Sequence, residues 1–229
     1  MMQAMIFAAG LGTRLKPLTD SIPKALVEVG GETLLQRTIE RLKACGVKSM
    51  VINVHHFAQA IVDYLQANNN FGVEIAVSDE SQHLLDTGGG LKKAAQLFST
   101  TANILIHNVD IISNVDLQAF YAHQAQSDAL LLVSQRETKR YLLFNDDMRL
   151  VGWTNIETGE VRSYSTHRPV RNWPSPASIR FRQSFSKRWR NTLQSSALST
   201  FISTNAPKTT SADTNSMGCN CSMWASLTR

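Results

Sequence analysis

The chain has 229 residues, 43% of them apolar, three cysteines and a formal net charge of +5. It is long enough to bury one good core, either as a single α/β domain or as a domain with a small appendage. No apolar run approaches the roughly 18 residues of a membrane span and no basic stretch precedes the first apolar segment, so a cytoplasmic protein without a membrane partner is expected. Cys45, Cys219 and Cys221 make no disulfide framework, and Cys219-Asn220-Cys221 has no neighbouring ligands to suggest zinc. The charge is unevenly spread: residues 1–165 hold 14 Lys/Arg against 17 Asp/Glu, whereas residues 166–229 hold 9 Lys/Arg and a single acid, Asp213.

Taken in chain order, Ala4 to Ala8 reads as a buried first strand, followed by a glycine loop and a helical pattern over Leu34 to Ala44. Strand-like Met50 to Val54, helical Phe57 to Ala67 and strand-like Val73 to Val77 follow. Then come three glycines, a helix over Gly90 to Leu97, a strand at Ile104 to His107, a helix over Leu117 to Gln126 and a strand at Ala129 to Val133. Apolar residues recur at spacings of three and four in the helical stretches. Such alternation means βαβ units around a mostly parallel sheet, in which ligands sit beyond the carboxyl ends of the strands.

Three segments fall at that edge. In Ala8-Ala9-Gly10-Leu11-Gly12-Thr13-Arg14, the glycines turn the backbone where the first strand ends and aim amide groups at one anion, most naturally a phosphate. Arg14 and, after Pro23, Lys24 add a planar fork and a mobile point charge suited to a polyphosphate. The loop is neither a dinucleotide fingerprint, since Leu15 stands where the third glycine belongs, nor a P-loop, since no Gly-Lys-Ser/Thr follows. Leu85-Asp86-Thr87-Gly88-Gly89-Gly90 offers bare backbone against which a flat base can lie. Asn108-Val109-Asp110 places a carboxylate at a strand end, where Mg²⁺ with substrate phosphates is one use and a structural turn cap the other. His55 and His56 are adjacent on an extended segment, point to opposite sides, and read as structural.

The opening loop resembles the signature of the sugar-phosphate nucleotidyltransferases, Ala-Ala-Gly-x-Gly-Thr-Arg-x-x-Pro-Leu-Thr-x-x-x-Pro-Lys, matched from Ala8 to Lys24 at every fixed position. Within that family the chain is similar to enzymes of the mannose-1-phosphate guanylyltransferase and N-acetylmuramate-1-phosphate uridylyltransferase type. The resemblance implies a Rossmann-like nucleotidyltransferase fold and a reaction in which a nucleoside triphosphate and a sugar 1-phosphate give a nucleotide sugar and pyrophosphate. It further implies that Arg14 and Lys24 are catalytic, that Ala8, Ala9, Gly10, Leu11, Gly12, Thr13, Asp86, Thr87, Gly88 and Gly89 bind the nucleotide, and that Asp110 binds Mg²⁺. Asp86 replaces the glutamate of the family's Glu-Thr-Gly-Gly-Gly element, and the Glu-Lys-Pro element that grips the sugar is replaced by Gly152-Trp153-Thr154-Asn155. Two other readings use the same residues: a cytidylyltransferase acting on an amino-alcohol phosphate, and a catalytically idle nucleotide-binding regulatory subunit. A nucleic-acid binder working through the basic tail is a third.

The resemblance covers about residues 1–165, which we take as the nucleotidyltransferase core, and it then stops. The family's Leu-Ala-Phe-Ser-Gly-Ile-His segment and its second metal-binding Asp-x-Gly element are both missing from the printed tail, residues 166–229. The genetic code offers a test of whether the reading frame shifts here. Reading the third base of each codon with the first two of the next forces Leu and Ala across Asn172-Trp173-Pro174, and Val and Gly across Met223-Trp224-Ala225. Synonymous codons around these permit Leu-Ala-Phe-Ser-Gly-Ile-His and Asp-Val-Gly-Lys-Pro-Asp in the same register. The tail is therefore expected to be out of frame from a point between Tyr164 and Arg171, and poorly ordered.

Overall fold

The computed structural model describes residues 1–99, 102–123, 129–133, 138–145, 148–163, 171–174, 178–181 and 223–227, with backbone alone for residue 163 and for the last three segments. Strand β1 (Met2–Phe7) starts two residues before the apolar run does. The reason is Gln3, whose buried amide donates to the carbonyls of Ser99 and Ala102 at 3.0 Å each and accepts from the Ser99 amide at 3.0 Å. With every polar atom partnered, a glutamine is tolerated inside a central strand. A two-residue ribbon, β2 (Glu28–Val29) with β3 (Glu32–Thr33), leads into α1 (Leu34–Ala44), whose start is capped by Thr33 Oγ1 accepting from the Gln36 amide at 3.0 Å.

Next come β4 (Val47–Val54), α2 (Ala58–Ala67) and β5 (Glu74–Asp79). Helix α3 spans Asp86–Ala94, so it begins four residues earlier than its apolar period suggests and takes all three glycines into its first turns. Gly88 and Gly89, expected to precede the helix as backbone open to a base, thus lie within it. Glycine lowers helix propensity by about 1 kcal/mol, but tertiary packing here asks for residues without a side chain, as the site geometry shows. After β6 (Ile104–Asn108), α4 (Leu117–Ala122) is capped by Asp116 Oδ1, which accepts from the Ala119 amide at 2.8 Å. The end expected at Gln126 lies outside the described residues. Strands β7 (Ala129–Val133), β8 (Arg140–Phe144), β9 (Leu150–Asn155), β10 (Glu160–Ser163), β11 (Arg171–Pro174), β12 (Ser178–Phe181) and β13 (Met223–Leu227) complete the described elements.

The main sheet has the order β13-β7-β12-β6-β1-β4-β5. Strands β6, β1, β4 and β5 pair parallel, and β12 and β13 pair antiparallel with their neighbours. All five strands expected from the sequence thus run in one direction, and the two that run against it come from residues 178–181 and 223–227. A second, antiparallel sheet of order β10-β9-β8-β11 follows the α/β part, unannounced by the alternation that precedes it. The rest of residues 166–229, and with it the expectation of poor order there, lies outside the described residues.

Side chains alternate across the main sheet. Ala4, Ile6, Met50, Ile52 and Leu105 face α1, α2 and α4, while Met5, Val51, Ile104 and Ile106 face Leu91 and Ala94 of α3. Both faces are covered, as a parallel sheet requires. The carboxyl ends of β1, β4, β5 and β6 therefore open along one edge, bringing together the loops after Phe7, Val54, Asp79 and Asn108.

Candidate nucleotide site

A cleft of about 290 Å³ lies along this edge, lined by residues of the loops after β1, β5 and β6, by Asn53 of β4 and by the start of α3. Of the residues singled out in the sequence, Ala9, Gly10, Lys24, Asp86, Thr87 and Asp110 line it. Arg14, Ala8, Leu11, Gly12, Thr13, Gly88 and Gly89 lie outside that lining.

The loop after β1 folds back on itself. Gly12 has φ 65°, and a Cβ there would stand 2.8 Å from Thr19 Cγ2 and 2.9 Å from Lys24 Cβ, so both its backbone and its space demand glycine. Thr19 Oγ1 donates to the Gly12 carbonyl at 2.9 Å, and the Leu15 amide donates to the same oxygen at 2.8 Å. These bonds carry the chain round so that Lys24 returns beside Gly10, which comes within 3.9 Å of its Nζ measured from an ideal Cβ. Among the described residues no protein acceptor meets the amides of Gly10 and Leu11. The Ala8 amide differs: it is bonded to Asn53 Oδ1 at 2.8 Å. Arg14 is exposed in the short turn Thr13–Leu15.

Lys24 Nζ meets Asp110 Oδ2 at 2.6 Å, with the two side chains 19% and 43% exposed. Residues 86 positions apart thus place opposite charges at one point of the cleft. Asp110 is a single carboxylate there, and among the described residues no cluster of three His, Cys, Asp or Glu could hold a metal. One carboxylate is the donor set for Mg²⁺ only when substrate phosphates and water fill the rest of its shell.

At the opposite wall Asp86, in the left-handed region with φ 54°, and Thr87 open α3 and line the cleft. Gly89 and Gly90 serve packing: a Cβ on Gly89 would be 2.9 Å from Leu85 Cβ, and one on Gly90 would be 2.6 Å from Glu80 Oε1. His55 Nδ1 lies 2.8 Å from the Glu80 carbonyl, and His56 stacks at a tilt on Phe57.

Phe7, Asn53, Glu80 and Leu84 also line the cleft, though they were not singled out in the sequence, and so do Asn108 and Val109 beside Asp110. For Asn53 a signal was present: an amide inside the apolar run Val51-Ile52-Asn53-Val54 needs buried partners. Glu80 follows its strand by one residue and gives no such sign.

The sequence pattern described as nucleotidyl transferase matches residues 3–144. Among characterised proteins, N-acetylmuramate alpha-1-phosphate uridylyltransferase of Caulobacter vibrioides is 44% identical over 111 residues, 48% of this chain and 46% of its own. Mannose-1-phosphate guanyltransferase of Gibberella zeae is 32% identical over 145 residues, 61% of this chain and 40% of its own. The chain spans about half the length of the curated relatives it matches. Among solved structures, HddC of Yersinia pseudotuberculosis in complex with GMP-PN superposes with a TM-score of 0.66 at 21% identity, covering 85% of this chain and 81% of its own. That likeness is one of fold.

Proposed function

Because the chain belongs to the nucleotidyl transferase family, we propose that its cleft joins a nucleoside triphosphate to a sugar 1-phosphate, forming a nucleotide sugar and pyrophosphate. The observation that carries this reading is the meeting of the Gly10 loop, Lys24 and Asp110 at one sheet edge, with the start of α3 opposite. A phosphate oxygen of the sugar attacks the α-phosphorus, the bond to the β-phosphate oxygen breaks, and pyrophosphate leaves. The attacking oxygen is already anionic, so the protein needs no strong base, and its work is alignment with charge stabilisation.

The amides of Gly10 and Leu11 hold the triphosphate, and Lys24 neutralises the α-phosphate or the incoming phosphate. Arg14 reaches the departing β- and γ-phosphates from the turn above. Asp110 would hold Mg²⁺, which supplies charge neutralisation across the phosphates. The base lies against Asp86 and Thr87. Uridylyl transfer is favoured over guanylyl transfer, because the uridylyltransferase relative shares 44% identity against 32% for the guanyltransferase. No helix of the described residues is long and apolar enough to cross a membrane.

Pyrophosphate release by the chain restored to the alternative reading frame, from each of the four common triphosphates with a panel of sugar 1-phosphates and Mg²⁺, tests this reading. Release that requires both substrates supports it, greatest with UTP. Nucleotide binding without release from any pair would make the chain an idle nucleotide-binding subunit instead.

A further inference from the structure

Beneath the cleft, three hydrogen bonds run in series through two buried side chains, Asn53 at 2% exposure and Glu80 at 1%. The Ala8 amide donates to Asn53 Oδ1 at 2.8 Å, Asn53 Nδ2 donates to Glu80 Oε1 at 2.8 Å, and the Leu85 amide donates to Glu80 Oε2 at 3.1 Å. One end of this series is the loop that would hold phosphate, and the other is the residue before α3, where the base would lie. We propose that Glu80 is a positioning residue that, through Asn53, fixes the separation of the two loops, so that a nucleotide spanning both binds to a pre-set span. The inference rests on the cleft being a nucleotide site.

The arrangement allows no slack. The Glu80 backbone is itself tied down: its amide donates to the Val54 carbonyl at 2.7 Å, and its carbonyl accepts from the His83 amide at 2.9 Å. From above, α3 presses on Glu80 Oε1 at Gly90, where a Cβ would approach to 2.6 Å. Both carboxyl oxygens face donors of the protein, so Glu80 does not act on the reacting atoms. Each atom in the series also has one permitted role. The residue at 53 accepts with one atom and donates with the other, and the residue at 80 accepts with both. A glutamine at 80 turns one acceptor into a donor facing a donor, and an aspartate at 53 turns a donor into an acceptor facing an acceptor. The two changes together reverse the central bond: the new glutamine amide donates to the new aspartate carboxylate, both backbone amides keep their acceptors, and the formal charge is unchanged.

A tether between two half-sites matters only to ligands that touch both, because binding the second half is then nearly free of further ordering cost. The test measures affinity of the full chain for UTP, or for whichever triphosphate binds it best, and for inorganic tripolyphosphate, which engages the phosphate loop alone. Glu80→Gln and Asn53→Asp are each expected to weaken triphosphate binding by about tenfold, the scale of one lost buried hydrogen bond, and to leave tripolyphosphate within about twofold. The double variant N53D/E80Q is expected to return triphosphate affinity to within about threefold of the parent.

Equal loss of both ligands in a single variant, no loss of triphosphate, or a double variant still about tenfold weak would each overturn the positioning role. If a single variant does not fold, the double variant decides alone, since its series of bonds is complete. A parent chain that binds no nucleotide would overturn the site reading itself, and that outcome is distinct from variants that bind as the parent does.

Discussion

His107 on β6 is buried at 1% exposure, with Nδ1 2.7 Å from the Asn108 carbonyl and no partner for Nε2 among the described residues. Burial pushes its pKa down from 6.5 to about 4, against the opposing pull of the Asn108 carbonyl. Between those values the unfolded chain binds more protons than the folded one, so stability is lost as pH falls from about 6.5 to about 4, and this contribution is constant above. Urea unfolding midpoints measured across that window should fall with pH in the parent and fall less steeply in His107→Leu; equal slopes would contradict the assignment.

Two further residues bear on the chemistry. Asp110→Asn keeps the size and removes the charge proposed to hold Mg²⁺, and its ion pair with Lys24 is too exposed to matter much for stability. Nucleotide should still bind, while transfer drops by about a hundredfold or more; normal turnover at ordinary Mg²⁺ would sink the role. In the chain restored to the alternative frame, Arg14→Ala should cost on the order of 10²–10³ in turnover, as loss of a preorganised donor does elsewhere, with an unchanged unfolding midpoint. Activity within about threefold of the parent would contradict it.

Among the elements, α3 is where local preference and tertiary demand conflict. Alanine favours a helix by about 1 kcal/mol over glycine, yet at Gly90 its Cβ would stand 2.6 Å from Glu80 Oε1. Helix or carboxyl must shift, and Gly90→Ala is expected to destabilise by about 1–3 kcal/mol, the usual cost of overpacking. Denaturant unfolding reads this directly, and a variant as stable as the parent would show that the contact is slack. The same conflict explains what the sequence concealed. Helix α1 was legible to the residue because its apolar period, Thr33 cap and flanking glycines agree. In α3 the first turn carries no period, and three glycines read as a turn until the carboxyl beneath Gly90 is seen. Likewise the Ala8–Lys24 loop was legible from its spacing, whereas Glu80 was not, since its importance lies in two partners 27 and 5 residues away.

For the whole molecule, the family pattern ends at residue 144, and the acids and glycines thin out shortly afterwards. Sequencing the gene across codons 164–171 is expected to find a base gained or lost; an unbroken frame encoding the printed tail would contradict that. The chain restored to the alternative frame is expected to regain the Asp-Val-Gly-Lys-Pro-Asp segment and to be the active form. Nucleotidyl transfer differs from hydrolysis and from kinase chemistry in where the α- and γ-phosphates end up. The direct test gives that restored chain UTP labelled at the α- or the γ-phosphate, together with sugar 1-phosphates and Mg²⁺. Nucleotidyl transfer is expected to put α-label in a nucleotide sugar and γ-label in pyrophosphate. Label from the γ-phosphate on the sugar or in free phosphate, with none of the α-label joined to sugar, would contradict it.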